Sequence, residues 1–555
     1  MGSPTRGRRK ARRRGISRRD FLRGAGGSAL ALSAAALAAC GAGGGGGDDG
    51  SGVNPFQHGI ASGDPLPDAI IFWTRATPTA GESIPVNLQV YADPQLKQKI
   101  GSSKQTASAE RDWTIKIDFN GLSPSTTYYY QFEARGFKSA VGRTRTAPEA
   151  NAVVDRLRIA VVSCASLAHG LFNVYGALAK RADLDVVLHL GDYIYEYGSG
   201  EYGTAREYQP ANEIASLSDY RTRHAQYKQD ANLQELHRQN PFITVWDDHE
   251  TANDSYRDGA ENHQGDEDEP DWFLRKANGQ KAYDEWMPIR LPTPGDTNRI
   301  FRELAYGRLV DLVMLDTRLY ARSLQCELQA QLTCPDDTTR SLAGAEQLDW
   351  LESRLKTSTA KWKLIGQQVM FGQLKIAGTP ELIAAGGVYL NMDQWDGYRA
   401  DRNRVFDLIE NNGISNAVVL TGDIHSSWAM DLSRDPNNLL VYRPGLGPIE
   451  TAGSLAVEFV APSVTSPGLD QLAPIQDVIR LLNPHMKYVD LSKHGYVLLD
   501  ITDERCQGEW WYVDTIATDS LTEAFGTAWQ AADGKNYLAA GAQSTPRADA
   551  PAFAG

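Results

Sequence analysis

Two hydrophobic textures divide the chain. From about residue 53 to 148, short apolar runs alternate with turn residues. Ala69-Ile70-Ile71-Phe72-Trp73-Thr74, residues 86–91, Trp113-Thr114-Ile115-Lys116-Ile117 and Tyr128-Tyr129-Tyr130-Gln131-Phe132 read as strands. Leu122-Ser123-Pro124-Ser125-Thr126-Thr127-Tyr128 has the makings of a corner anchored by an aromatic ring. The expectation for 53–148 is a small all-β sandwich, fibronectin-type or Ig-like, carrying no chemistry of its own. From about 155 the apolar runs lengthen and helical stretches separate them. Residues 157–162, 186–190, 242–246, 309–315, 364–369, 418–420 and 457–460 read as buried strands, and 347–355 as an intervening helix. That alternation predicts an α/β sandwich with partly parallel sheets over 155–515. The tail, 516–555, is rich in Ala, Gly and Ser; one helix near 521–530 is expected before it frays.

Composition narrows the function. Of 555 residues, 42% are hydrophobic and 23% charged, enough for a large core and more than one domain. The net charge is −13, but residues 1–39 hold ten Lys/Arg against one Asp, so the remainder sits at −22 (−13 less the leader's +9). An acidic body has no basic face for nucleic acid, and no nucleic-acid-binding module is expected. Phosphate substrates stay open, because bound cations reverse the local field. Five cysteines are too few for a disulfide scaffold. Cys326 and Cys334 share a polar loop where a bridge is plausible after export, a pairing that spacing alone leaves open.

The leader has its own logic. An Arg-dense stretch runs into Ser17-Arg18-Arg19-Asp20-Phe21-Leu22, then a short apolar run over 29–39, well under the ~20 residues a membrane span requires. The first segment resembles the twin-arginine consensus, which implies export of a folded protein by the Tat machinery. Leu37-Ala38-Ala39-Cys40 resembles a bacterial lipobox, with Cys40 lipidated and left at the mature N-terminus. Residues 40–52 form a Gly-rich tether. The chain is therefore expected outside the cytoplasm, held to a membrane by its lipid anchor alone.

Four of the predicted strands end alike. One runs into Ser163-Cys164-Ala165-Ser166, a second into Gly191-Asp192-Tyr193-Ile194-Tyr195-Glu196, a third into Asp247-Asp248-His249-Glu250 with Asn253 beyond, and the fourth into Thr421-Gly422-Asp423-Ile424-His425. Singly, each has an ordinary structural explanation: Gly-Asp makes a turn, Asp248 caps a helix, and a lone Cys packs as a small hydrophobe. In open α/β sheets, however, ligands bind beyond the carboxyl ends of strands. Thiol, carboxylate, phenol, imidazole and amide converging there make a metal site by composition.

These fragments, in this order, resemble the calcineurin-like metallophosphoesterases and, within them, the PhoD-type alkaline phosphatase branch. Ala61-Ser62-Gly63-Asp64-Pro65, Leu315-Asp316-Thr317-Arg318, Trp395-Asp396-Gly397-Tyr398 and Pro462-Ser463-Val464-Thr465-Ser466-Pro467 extend the similarity over about 53–515. The resemblance implies a four-layer α/β sandwich preceded by the small all-β domain. It implies hydrolysis of phosphate esters by a metal-activated hydroxide at a mixed Fe3+/Ca2+ site. Asp192 falls at the metal-bridging carboxylate, Tyr195 at an iron-binding phenolate, Cys164 where many relatives have Asp, and His425 at the last His of the family pattern. Asp423 replaces a His, which hardens the second site toward oxygen donors and Ca2+. Either Asp248 or Asn253 supplies the Asn-type ligand, with Asn253 slightly preferred. His249 is the candidate catalytic group at the leaving oxygen. Monoester and diester substrates remain open, including a phosphodiesterase or phospholipase D-like activity; a non-catalytic calcium-binding lipoprotein is the remote alternative.

Overall fold

The computed structural model describes residues 52–263, 270–376, 387–445 and 449–555. The leader, Cys40 and nearly all of the tether lie outside them. Two sheets stack face to face. In the first, Arg156–Val162, Val186–His189, Pro241–Thr244 and Ile60–Gly63 run parallel at the centre. In the second, Val310–Met314, Trp362–Gly366, Ala417–Thr421 and Ala456–Val460 are parallel, with antiparallel strands at both edges. Strand periodicity explains the stack. Along the second sheet Val310, Leu312, Met314, Val418 and Leu420 face the core shared with the first sheet, which also holds Val161, Leu188 and Ile243. The intervening Val313, Leu315, Ala417 and Val419 face an outer core. That outer core packs on helices Ala345–Thr357 and Arg399–Asn411 through Leu348, Leu351, Val405 and Phe406. Helices Asn173–Ala179, Leu217–Lys228 and Ala231–Gln239 add Leu178, Tyr227 and Leu236 on the first sheet's far side. The result is the expected four-layer α/β sandwich with an all-β region at its N-terminal side.

The all-β region lies at the N-terminal side as expected, and one of its two layers is shared with the body. One sheet, Lys99–Ala107, Ile84–Tyr91, Thr127–Ala134 and their neighbours, is its own. The strands opposite, Ala69–Arg75 and Thr114–Asn120, continue the large sheet through Ile60–Gly63. The apolar run at 69–74 foreshadows this, since a half-solvated strand would alternate. Ile70 and Phe72 fill the small core, while Trp73 packs on Trp286 and donates to the Glu285 carbonyl at 2.8 Å. At the anticipated corner, the Ser123 N–H donates to the Tyr128 hydroxyl at 2.8 Å.

The tail departs from its expectation. Residues 523–532 form a strand, not a helix, paired antiparallel with Arg505–Val513 and followed by Leu538–Ala540. Helix propensity of Ala is a few tenths of a kcal/mol per residue, too little to outweigh a full ladder of strand hydrogen bonds. The remaining residues do not fray either. Arg158 donates to the Thr545 carbonyl, Arg143 to that of Pro551 and Tyr129 to that of Ala552, tying the tail across both domains. Cys326 and Cys334 form a disulfide. Among the described residues, no helix is long and apolar enough to cross a membrane.

Candidate metal centre

The carboxyl ends of three central strands of the first sheet and one of the second meet in a buried volume. The Val464 N–H donates to the Ser163 carbonyl at 3.0 Å, and that of Cys164 to the Gly191 carbonyl at 3.1 Å, so loops from both sheets are laced together. The approach demands glycine at 191: its φ is 102°, and a Cβ there would lie 2.4 Å from that of Asp247. Cys164, Asp192, Asp423 and His425 all hold positive φ, at 62°, 54°, 59° and 59°. Such conformations cost on the order of 1–3 kcal/mol each for non-glycine residues and persist where the surroundings impose them, commonly at functional sites.

Ligand atoms of Cys164, Asp192 and His425 lie within 4.8 Å of one another, all three residues buried. The Tyr195 hydroxyl joins them, donating to Asp192 Oδ2 at 2.9 Å and standing 3.2 Å from His425 Nε2. His425 Nδ1 is 2.9 Å from the Pro467 carbonyl. A carbonyl only accepts, so that nitrogen carries the proton and Nε2 presents a lone pair to the cluster. Asp247, Asp248 and Asp423 form a second group within the same limit, and Asp192, Asp248 and His249 a third, so Asp192 and Asp248 link the groups.

The electrostatics call for cations. Burial pushes the Asp192 carboxyl up to about 6 and that of Asp247 well above the carboxylate range. Asp192 Oδ1 and Asp247 Oδ2 are buried and accept no hydrogen bond. Burial likewise drives the Cys164 thiol and the Tyr195 phenol well above their usual values, with neighbouring carboxylates adding to the effect. Anionic groups held together in a dry site are costly without a compensating charge. The donors therefore fit metals: thiolate, phenolate, imidazole and carboxylate at the first position, an all-oxygen set at the second.

Several participants have no role assigned from the sequence. Arg318 is fully buried and pairs with Asp247 at 2.5 Å, Asp393 at 2.6 Å and Asp423 at 2.9 Å. Its guanidinium neutralises only part of the second group. Glu250 accepts the backbone N–H groups of Asp192, Tyr193 and Asp247 at 3.1, 2.6 and 2.8 Å, locking two loops together. Glu196 sits 2.7 Å from His249 Nδ1. Burial opposes the charged imidazole, but the carboxylates of Glu196, Asp248 and Asp192 hold it well above the ordinary histidine range. Asn253 lies on the same loop, its amide nitrogen donating to Glu261 at 2.5 Å. Of the predicted residues, the structure thus gathers Cys164, Asp192, Tyr195, Asp248, His249, Asp423 and His425. It adds Asp247, and it turns the nitrogen end of Asn253 to Glu261. Arg318 stands in the Leu315-Asp316-Thr317-Arg318 segment that carries the resemblance, just after an apolar strand, and Glu196 and Glu250 adjoin predicted residues, but the sequence assigns none of the three a role.

A family model described as PhoD-like phosphatase matches residues 159–510, and one described as PhoD-like phosphatase, N-terminal domain, matches 44–148. Alkaline phosphatase D of Bacillus subtilis (strain 168) is 35% identical over 516 residues, covering 89% of this chain and 84% of that protein. A solved structure described as that of PhoD superposes with a TM-score of 0.78 at 32% identity, covering 90% of this chain and 95% of the other.

Proposed function

We propose, from the premise that the chain belongs to the PhoD-like phosphatase family and is a metal-dependent phosphoric ester hydrolase, that its centre is a mixed iron–calcium site. The carrying observation is the first group: Cys164, Asp192 and His425 within 4.8 Å, with the Tyr195 hydroxyl hydrogen-bonded among them. Thiolate and phenolate together suit Fe3+. Asp247, Asp248 and Asp423 offer hard oxygens for Ca2+, and Asn253, whose amide nitrogen Glu261 holds, offers one more through its carbonyl. Cations held by these residues would polarise the phosphoryl oxygens and lower the pKa of an attacking water.

The chain's own residues do the rest. Asp192 and Asp248 fix the spacing of the two positions. Arg318 balances the carboxylates behind the second. His249, kept protonated by Glu196, donates its remaining ring proton to the departing ester oxygen. His249→Gln should therefore slow hydrolysis of an alkyl ester about 10²–10⁴-fold and an ester of an acidic phenol far less, because a good leaving group departs without a proton. Equal losses on both would remove His249 from that role.

Export completes the reading: leader 1–39, lipidated Cys40 with its tether to 52, the all-β region 53–148, the catalytic body 155–515 and the tail 516–555. The site is assembled from loops after residues 162, 190, 246 and 420, so it forms only in the folded chain, and metal capture follows folding. A Tat route then allows iron loading before release. Replacing Arg18-Arg19 with Lys-Lys should leave active precursor inside the cell. Cys40→Ala should be exported and lose membrane retention. Fractionation with lipid labelling decides both: undiminished export of the Lys-Lys form sinks the route, and unchanged membrane association of Cys40→Ala sinks the anchor.

A further inference from the structure

The turn after strand Ala456–Val460 supplies no ligand, yet it touches three members of the first group. Thr465 and Ser466 donate their backbone N–H groups to the Cys164 carbonyl at 3.3 and 3.2 Å. The Pro467 carbonyl holds His425 Nδ1. The Ser466 hydroxyl, fully buried, lies 2.5 Å from Tyr195 Oη and 2.9 Å from the Cys164 carbonyl.

One hydroxyl has one proton to give. The Cys164 carbonyl already receives two N–H groups, enough for both its lone pairs, and has no need of a third donor. The Ser166 N–H approaches Ser466 Oγ at 3.3 Å and occupies one of its lone pairs, leaving the proton for Tyr195. His425 cannot fill that role, because its proton sits on Nδ1, against Pro467. Tyr195's own proton goes to Asp192. When the tyrosine oxygen binds an ion as phenolate, that proton is absent, while the bond from Ser466 persists and becomes charge-assisted.

We propose that Ser466 is a positioning residue for the first metal: its hydroxyl donates to the Tyr195 oxygen, fixing the ring and drawing charge out of the phenolate. The inference rests on Tyr195 binding iron. A hydrogen bond to a phenolate stabilises its highest filled orbital, so electron transfer from ligand to Fe3+ absorbs at higher energy. It also weakens donation to the ion, which raises the iron reduction potential.

The test compares purified, iron-loaded wild type, Ser466→Ala and Ser466→Thr by visible absorption and redox titration. Ser466→Ala should keep its iron while its charge-transfer band moves to longer wavelength, its potential falls and kcat drops about 10-fold. Ser466→Thr, which retains a hydroxyl, should move the band back toward wild type. A coloured Ser466→Ala with unchanged band and potential overturns the proposal. A colourless, active wild type overturns the iron–phenolate reading, and this inference with it.

Discussion

Asp192→Asn is expected to reduce kcat/KM by about 10³-fold or more, with the fold intact. Among the described residues, Asp192 is the one that meets Cys164 and His425 on one side and Asp248 and His249 on the other. Neutralising it removes the shared carboxylate and part of the charge that would hold the proposed cations. Losing metal polarisation of the phosphoryl group forfeits several kcal/mol of transition-state stabilisation, and each ~1.4 kcal/mol is tenfold in rate. Stability separates this from simple damage. Without metals, the Asp192 carboxyl is a buried acid whose pKa burial raises to about 6, so ionising it costs the fold. Metal-free Asp192→Asn should then be at least as stable as metal-free wild type at neutral pH, and only the metal-loaded wild type should be more stable. Thermal unfolding with and without metals reads this directly. A metal-free variant much less stable than metal-free wild type would mean the carboxylate is structural.

Withdrawing calcium should abolish turnover, and readding it should restore activity better than zinc does. Asp247, Asp248 and Asp423 present carboxylate oxygens alone, the set that hard cations take, whereas zinc prefers a site with nitrogen or sulfur. Because a cation binding only the folded state stabilises it by mass action, calcium at 100-fold over its dissociation constant should add about 2.7 kcal/mol to the calcium-free enzyme. Asp423→His should weaken calcium's advantage over zinc. Turnover unmoved by a calcium-selective chelator would show that the second position has another tenant.

The legible part of the site and the illegible part divide along physical lines. Buried parallel strands are continuous apolar runs, and the loop residues at their carboxyl ends adjoin them in the chain, so Cys164, Asp192, Tyr195, Asp248, Asp423 and His425 stand out from sequence alone. For groups that act across the fold, the sequence shows the residue but not the partner it reaches. Pro467 holds His425 from 42 residues away, and Ser466 meets Tyr195 across 271. Arg318 reaches Asp247 over 71. The strand at 523–532 reads as helix because Ala-rich sequence favours helix locally, while its partner at 505–513 decides the outcome. The all-β region looks separable because its turns are regular, but the double-sided apolar character of 69–74 ties it into the catalytic sheet.

The mixed iron–calcium centre is tested most directly by metal analysis of the chain purified without chelators, read beside its visible spectrum and its activity. Iron and calcium both retained in stoichiometric amounts, with a charge-transfer band that Tyr195→Phe bleaches or shifts, is the predicted result. A colourless, fully active enzyme containing only zinc would contradict it.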